Sequence, residues 1–257
     1  MKSPLAILLF AGLTSAASAA VYTQTFDFPD GTTNLGDGSQ MNGSTMIVGN
    51  QLRLTEIGAP SGTSSFNIPA LAGSSAGWTA TFNFTIIDAT GGNPPADGFS
   101  FNYGNFGLGE LGSAEEGMAT AGGVTENISF EVDTWMNFDA EQGVNIAEKV
   151  GGVDTNLVFT NGPILADGAT VSGTVLIDWD PANGATFVTT GLNTNAFFTG
   201  VSTSFDAQNV FNFGLSARVG GANETLLIDN LVITTPEPSS ILLLGLGSLG
   251  LLLRRRR

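Results

Sequence analysis

Hydrophobic and polar residues alternate with a period of two along much of the chain between residues 21 and 235. The run Trp78–Ile87 (WTATFNFTII) places apolar side chains at every second position, and Asn127–Trp135 (NISFEVDTW) follows the same pattern. Such alternation is typical of strands that bury one face. We therefore predict strands in these two runs and in Tyr22–Phe28, Thr45–Thr55, Gly98–Tyr103, Val144–Val150, Thr155–Thr160, Thr170–Trp179, Ala185–Thr190, Val210–Ala217 and Thr225–Thr234.

Turn-forming residues separate these runs and leave little room for helices. Asp180–Gly184 (DPANG) predicts a hairpin turn, because Asn-Gly tolerates positive φ angles. Only Glu110–Ala121 has a composition that predicts a short helix, and no repeat at a fixed period is evident. Many short strands with turn-rich connections indicate an all-β domain of two packed sheets, which we place at residues 21–235.

The two ends of the chain have a different pattern. Residues 1–20 have one lysine near the start, continue with an apolar run and end in small residues, which is typical of a secretory signal peptide. At the other end, Ile241–Leu253 contains only apolar residues, glycine and serine. As a helix, this segment would rise about 20 Å, and the arginines that follow can extend its reach to the cytoplasmic face of a membrane. We therefore expect a signal helix at one end and a hydrophobic, membrane-anchoring helix at the other.

The last residues resemble a known sorting signal. Pro236, Glu237 and Pro238 precede the apolar segment, and a basic cluster closes the chain at Arg254, Arg255, Arg256 and Arg257. This order is similar to the PEP-CTERM signal of exported bacterial proteins. The resemblance implies that residues 236–257 hold the chain in the inner membrane, where an exosortase recognises it and cleaves near the motif. The product would then reach the cell surface or the extracellular matrix.

Composition and charge exclude several kinds of chemistry. The chain has no cysteine and no histidine, so it contains no disulfide, thiolate nucleophile or imidazole base. Of its 23 acidic residues only Glu237 lies beyond residue 235, while residues 21–235 contain just three cations, Arg53, Lys149 and Arg218, which leaves 19 net negative charges. So acidic a domain repels nucleic acid and favours cations.

Two acidic residues share one face of a predicted strand. In Asn127–Asn137 (NISFEVDTWMN), a period of two places Glu131 and Asp133 on the same face, about 7 Å apart at their Cα atoms. Further oxygen donors follow in the next loop: Asn137, Asp139 and Glu141. Clustered oxygen donors suit a hard cation such as Ca²⁺. The alternative is that these acids lie on a solvated face of an acidic protein.

The same strand and an earlier one resemble the legume-type (L-type) lectins. The residues that carry the resemblance are Ala96–Phe101 (ADGFSF) and Phe130–Asn137 (FEVDTWMN), and it extends through Gly143–Ala147 and Phe213–Ile233. It implies a concanavalin A-like two-sheet jelly-roll sandwich and a carbohydrate-binding function.

The resemblance also implies roles for individual residues. Asp97 would bind sugar hydroxyls, and Asn137 would touch both the sugar and a metal. The expected calcium ligands are Asp133, the carbonyl oxygen of Trp135, Asn137 and Asp139, while Glu131 would belong to a second, transition-metal site. The histidine that the family supplies to that second site is absent here, so calcium is the cofactor that we expect. Gly117 and Gly122 are candidates for the family's glycine-rich contact with sugar.

A related class of enzymes needs a second carboxyl group that the chain lacks. Laminarinase-like glycoside hydrolases share this sandwich and carry a Glu-x-Asp strand, but a retaining mechanism requires two carboxyl groups about 5–5.5 Å apart. Four or five positions after Glu131 stand Trp135 and Met136, neither of which transfers a proton. We therefore expect a non-enzymatic protein that binds a glycan. The alternative is a structural or adhesive envelope protein without a sugar ligand.

Overall fold

Strands dominate the computed structural model of the protein, which describes residues 19–88, 95–112, 117–135, 142–207 and 209–237. Within these ranges, two 3-10 turns, at Ser74–Ala76 and Gly117–Thr120, are the only helical elements. In chain order the strands are β1 (Val21–Gln24), β2 (Gln40–Asn42), β3 (Met46–Val48), β4 (Gln51–Thr55), β5 (Gly62–Ile68), β6 (Trp78–Asp88), β7 (Gly98–Gly104), β8 (Asn127–Asp133), β9 (Gly143–Val150), β10 (Val153–Asn161), β11 (Thr170–Asp180), β12 (Gly184–Thr189), β13 (Phe197–Val201), β14 (Asn212–Val219) and β15 (Glu224–Thr234).

The strands form two antiparallel sheets, which we call the back sheet and the front sheet. The back sheet has eight strands in the order β13-β12-β11-β6-β15-β4-β3, with β1 paired to the end of β15. The front sheet has seven strands in the order β10-β9-β8-β7-β14-β5-β2. Sequence neighbours such as β6 and β7 lie in different sheets, so the chain crosses repeatedly between them. The two-sheet sandwich predicted from the sequence is confirmed.

Aromatic side chains fill the space between the sheets. Trp78 on β6 packs edge-on against Phe213 on β14, with ring centroids 5.3 Å apart, and against Tyr103 on β7 at 5.5 Å. Trp179 on β11 contacts Phe205 at 5.4 Å. Each such residue buries a large apolar area, and edge-to-face pairs add a specific geometry to that burial. The alternation noted in the sequence therefore corresponds to the inward face of each strand.

The opposite face of the front sheet is polar and also buried. Ser100 and Asn102 on β7 and Ser216 on β14 are inaccessible to solvent, and the hydroxyl groups of the two serines lie 2.7 Å apart. The segment after β7 covers them: the backbone N–H of Met118 donates to Asn102 Oδ1 at 2.9 Å. A second small apolar cluster holds this cover in place, and it consists of Phe106, Met118, Ala121 and Val124.

Several local predictions were wrong, each for a physical reason. In the described part of Glu110–Ala121, where a helix was predicted, the only helical element is the 3-10 turn at Gly117–Thr120, and Gly117 has φ +60°; residues 113–116 lie outside the described residues. Thr45–Thr55 is two strands, because Gly49 and Asn50 both adopt positive φ and form a hairpin turn. The sequence pattern also missed β2, β5 and β13.

The two terminal helices predicted from the sequence fall outside the described residues. The signal helix lies mostly within 1–18, and the C-terminal helix lies within 238–257. Across the ranges that the structure does describe, there is no helix with the length and apolar character needed to cross a membrane.

A buried carboxylate holds the segment before β14 against the front sheet. Glu148 on β9 accepts hydrogen bonds from the backbone N–H groups of Ser204 and Phe205, each at 3.0 Å, and from the hydroxyl groups of Thr203 and Ser204. Phe205 in turn packs on Trp179, so this carboxylate fixes part of the aromatic core.

We predict that Glu148→Ala lowers the free energy of unfolding by about 3 kcal/mol, because several buried donors lose their acceptor at once. Asp154→Ala on the neighbouring strand is the matched control. It removes only a surface ion pair with Lys149 at 3.5 Å, so we expect a change of about 0.5 kcal/mol or less. Urea denaturation of both variants measures the difference, and equal losses would contradict the role assigned to Glu148.

Candidate functional site

Asp97 lies at the beginning of β7, between the ends of β14 and β8. Its backbone N–H donates to the carbonyl oxygen of Arg218 at 3.0 Å, and its own carbonyl oxygen accepts from the N–H of Thr134 at 3.4 Å. The peptide bond between Ala96 and Asp97 is cis. Because Gly98 is paired with Asp133 across the two strands, Asp97 and Asp133, which the sequence singled out separately, lie at the same edge of the front sheet.

Only glycine fits at the position after Asp97. Gly98 has φ +105°, and a Cβ atom there would lie 2.0 Å from the carbonyl oxygen of Val132. Glycine has no Cβ and adopts positive φ without steric cost. The Ala-Asp-Gly sequence therefore lets β7 approach β8 closely enough to place Asp97 against Thr134.

The carboxyl group of Asp97 is largely buried, and one of its oxygens accepts no hydrogen bond. The residue is 8% exposed, and its Oδ2 accepts no hydrogen bond, although it lies 3.4 Å from Arg218 Nε. Burial raises the pKa of Asp97, and the positive charge of Arg218 opposes that rise. The side chain of Arg218 is 44% exposed, so the ion pair is open to solvent on one side.

A glycine lies directly beside this carboxyl group. A Cβ atom on Gly220 would be 3.4 Å from Asp97 Oδ2, so the bare backbone of the β14–β15 loop borders the acid. The sequence analysis missed Gly220 and Arg218. Gly117, one of its two glycine candidates, packs against Asn102 and Ser129 under the cover of the front sheet.

Glu131 and Asp133 are buried on the polar face of β8. They are 4% and 6% exposed, so the alternative of a solvated acidic face is wrong. The two oxygens of Glu131 accept hydrogen bonds from Ser129 Oγ and Asn145 Nδ2, both at 2.5 Å. Asp133 Oδ1 accepts the backbone N–H of Trp135 at 2.8 Å.

The surroundings of Asp133 and Glu131, which were expected to bind two different metals, are not the same. Asp133 lies at the end of β8 beside Trp135, at the start of a segment that would supply further oxygen ligands, and such a set fits one hard cation. Asn137 and Asp139 lie outside the described residues. At the second expected site, each oxygen of Glu131 accepts a hydrogen bond from a neutral donor, and a carboxylate oxygen has two lone pairs. Within the described part of the chain, no group of three or more acidic residues is placed to hold a metal ion.

Glu224 is a buried acid that the sequence analysis did not select. It begins β15, is fully inaccessible to solvent, and its Oε2 accepts a hydrogen bond from Thr134 Oγ1 at 2.8 Å, whereas Oε1 has no partner. Burial raises the pKa of Glu224 to about 8; the charges of Asp97 and Asp88 add to the rise, and the bond from Thr134 opposes it. The alternation of the sequence could have indicated that Glu224 is buried, since it occupies the same inward face of β15 as Leu226 and Ile228.

Glu224 therefore helps to position Thr134, which contacts Asp97. Through Thr134 it is linked to Asp97, whose carbonyl oxygen accepts the Thr134 N–H. Near neutral pH the carboxyl group is largely protonated, which reduces the repulsion among the acids at this edge of the sandwich.

The end of the chain matches one known motif. Residues 234–257 match the family model of the PEP-CTERM protein-sorting motif. The chain thus carries this sorting motif directly after β15. No curated protein sequence matches the chain significantly.

The fold is similar to that of several solved lectin structures. The lectin from Bauhinia forficata in complex with GalNAc has a TM-score of 0.62 at 17% identity, covering 86% of this chain and all (100%) of that one. The winged bean acidic lectin complexed with methyl-alpha-D-galactose has a TM-score of 0.57 at 19% identity, covering 84% and 98%. The exoplasmic/lumenal domain of VIP36, in a form with Ca²⁺ and mannose, has a TM-score of 0.56 at 16% identity, covering 76% and 82%.

These similarities establish the fold class. The domain is an all-β, concanavalin A-like jelly-roll sandwich of the legume-lectin type, as the sequence predicted. At such low identity the likeness concerns the fold alone, so the chemistry has to be argued from the residues of this chain.

We predict that Glu224 makes stability fall as the pH rises. Because its pKa is raised from 4.5 in the unfolded chain to about 8 in the folded one, the folded state binds the extra proton between these values. Stability is greatest below about pH 4.5 with respect to this group and is lost as the pH approaches 8. Glu224→Gln keeps an acceptor for Thr134 and should raise the melting temperature by several degrees at about pH 8, with little effect at about pH 5.

The matched control is Glu56→Gln, which removes the same charge from a half-exposed side chain paired with Arg53. Melting curves of the three proteins in EDTA, from about pH 5 to pH 8, give the comparison. If Glu224→Gln and wild type keep parallel pH profiles, Glu224 is ionised in the folded protein and the assignment is wrong.

Proposed function

We propose that the protein is an exported, calcium-dependent carbohydrate-binding protein, sorted through its C-terminal PEP-CTERM motif. The sugar site would lie at the edge of the front sheet around Asp97. The single observation that carries the proposal is the Asp97 carboxyl group, which borders the bare backbone at Gly220 and has a buried oxygen, Oδ2, that accepts no hydrogen bond.

The chemistry of this position suits sugar hydroxyl groups. A carboxylate accepts two neighbouring hydroxyls, and charge-assisted hydrogen bonds are roughly twice as strong as neutral ones. Arg218 lies on one side of Asp97 and can donate to a sugar oxygen from its exposed portion. Asp97, Arg218 and the backbone at Gly220 provide few polar contacts, so we expect weak binding of one or two sugar units.

Calcium is the proposed cofactor, with Asp133, the carbonyl oxygen of Trp135, Asn137 and Asp139 as its ligands. Bound there, it would supply positive charge among the acids beside Asp97. Asn137 would also contact the sugar. Glu131 would belong to a second, transition-metal site, for which the chain lacks the histidine that the family supplies.

A second candidate function is supported by the ion pair at the site. Arg218 lies 3.4 Å from Asp97, so the carboxylate already has a cationic partner in the absence of sugar. A structural or adhesive envelope protein that has lost its ligand would keep such a pair. Direct measurement of glycan binding separates the two functions.

The sorting motif supports a path through the inner membrane. In the proposed path, an exosortase recognises the motif and cleaves near Pro236–Pro238, and the mature protein reaches the cell surface or the extracellular matrix. Pro236 and Glu237 are exposed immediately after the buried Thr235, so a processing enzyme has access to them. Pro238 and the four terminal arginines lie outside the described residues.

We predict that wild-type protein binds neutral glycans on an array in calcium, and that EDTA or Asp97→Asn abolishes binding. The substitution keeps the shape of the side chain but removes the charged acceptor. Asp167→Asn is the matched control, because it removes one charge from an exposed loop at the same end of the sandwich. Melting curves show whether each variant is folded.

Absence of glycan binding by the wild-type protein, or equal binding by Asp97→Asn, would reject the lectin function in favour of the structural one. Binding that persists in EDTA would reject only the role of calcium.

We predict that protein isolated from its native host begins near Ala20 and ends near Pro236–Pro238. Intact-mass measurement tests both ends in one experiment. A mature chain that still ends at Arg257 would show that the C-terminal segment is a permanent anchor.

A further inference from the structure

The two ends of the sandwich domain meet at one place. Val21 on β1 is paired with Thr234 on β15. Just beyond them, the N–H of Thr235 donates to the carbonyl oxygen of Ala20 at 2.9 Å, and the N–H of Ala20 donates to Thr235 Oγ1 at 3.1 Å. Ala20 and Thr235, at the two ends of the domain, therefore lie side by side.

The last described residues before the sorting motif are held against the domain. Thr235 is 1% exposed, and its hydroxyl group donates to the carbonyl oxygen of Ala72 at 2.7 Å. The carbonyl oxygen of Pro236 still packs on Gly73, where an added Cβ would lie 3.1 Å away. The chain therefore remains in contact with the domain up to Pro236, the first residue of the Pro-Glu-Pro motif.

The candidate sugar site lies at the other end of the same strand. β15 begins with Glu224, which is bonded to Thr134 beside Asp97, and ends with Thr234 at the terminal pair. An extended strand of 11 residues covers about 33 Å. β6 and β11 run the same length beside it, so the whole back sheet separates the two ends.

We propose that, while the chain is anchored, the domain stands upright on the membrane, with its termini at the lipid surface and the Asp97–Asp133 edge pointing away. This inference rests on the proposed function. The site would then meet polysaccharide or a facing surface, and not the headgroups of the membrane that holds the anchor.

Charge favours the upright position over a flat one. Residues 21–235 carry 19 net negative charges, and anionic lipids repel such a body along its whole length. Only the end that carries the anchor is held at the surface. Asp178 and Asp180, which line a cavity of about 250 Å³ with Pro236, keep even this end acidic, so the contact is confined to the tether.

The test uses two single-cysteine variants of the full chain. Ala166 and Ala182 are both exposed and lie just outside the two ends of β11, at the site end and the anchor end respectively. The two alanines form hydrogen bonds only through their own backbone atoms: the carbonyl oxygen of Ala166 accepts from the N–H of Ala169, and the N–H of Ala182 donates to Asp180 Oδ1, so Ala166→Cys and Ala182→Cys preserve both. Because the sequence contains no cysteine, a donor dye labels each variant at one position.

Each labelled chain is inserted into phosphatidylcholine–phosphatidylglycerol vesicles that carry an acceptor dye on their headgroups. We expect energy transfer several-fold greater from Ala182→Cys than from Ala166→Cys. We also expect the vesicle-bound chains to capture neutral glycan in calcium, and the Asp97→Asn variant to lose that capture.

Equal transfer from the two positions, or the reverse order, overturns the upright arrangement even if glycan is captured. A chain that does not float with the vesicles overturns it as well, because the C-terminal segment is then not an anchor. If energy transfer is greater from Ala182→Cys but no glycan is captured, the proposed carbohydrate-binding function is wrong and the outward-facing edge is not a sugar site. The failure of the upright arrangement and the failure of the proposed function therefore give different results.

Discussion

Aromatic packing between the two sheets is the interaction on which the rest of the structure depends. The chain has no cysteine to form a disulfide, and its domain has only three cations for ion pairs, so cohesion must come from apolar burial. Trp78 is central to it, because its ring contacts side chains from β7, β8, β11 and β14. Apolar residues fill most inward positions of the long strands, and the polar groups lie on the outer face of the front sheet and at the strand ends, where Glu224 occupies an inward position.

That division explains why carboxyl groups are buried where the strands end. At this edge Asp97 lies beside Arg218, Glu224 is linked to Asp97 through Thr134, and Asp133 ends the neighbouring strand. Acids held together in this way repel unless a proton, a cation or hydrogen bonds offset the charge. The structure uses all of these means: protonation at Glu224, the guanidinium at Asp97, and the backbone N–H of Trp135 at Asp133. A bound calcium ion would be a further one.

The sequence predicts the architecture well because each long strand buries one face. The alternation in Trp78–Ile87 and Thr225–Thr234 needs no tertiary information, and these strands appear nearly where expected. Strand β5 (Gly62–Ile68) was not predicted because Ser65 and Asn67 are buried on the polar face of the front sheet, and neither the period nor the hydrophobicity of the sequence indicates such burial.

The candidate site was predictable only in part. Asp97 and Asp133 were found through short motifs, and the pairing of Gly98 with Asp133 brings them together. Arg218, Gly220 and Glu224 reach the site through the β14–β15 connection, more than a hundred positions after Asp97 along the chain. No local pattern indicates such a contact; it exists only once β14 lies beside β7.

The hydrogen bonds between Ala20 and Thr235 also place the first and last residues of the domain next to each other. Since its two ends are neighbours, a short peptide joining them would disturb neither sheet, and the chain could be opened instead at an exposed turn such as Asp180–Gly184. Circular permutation would then preserve every strand pairing. For the same reason, the whole sandwich is suited to domain insertion into a surface loop of another protein.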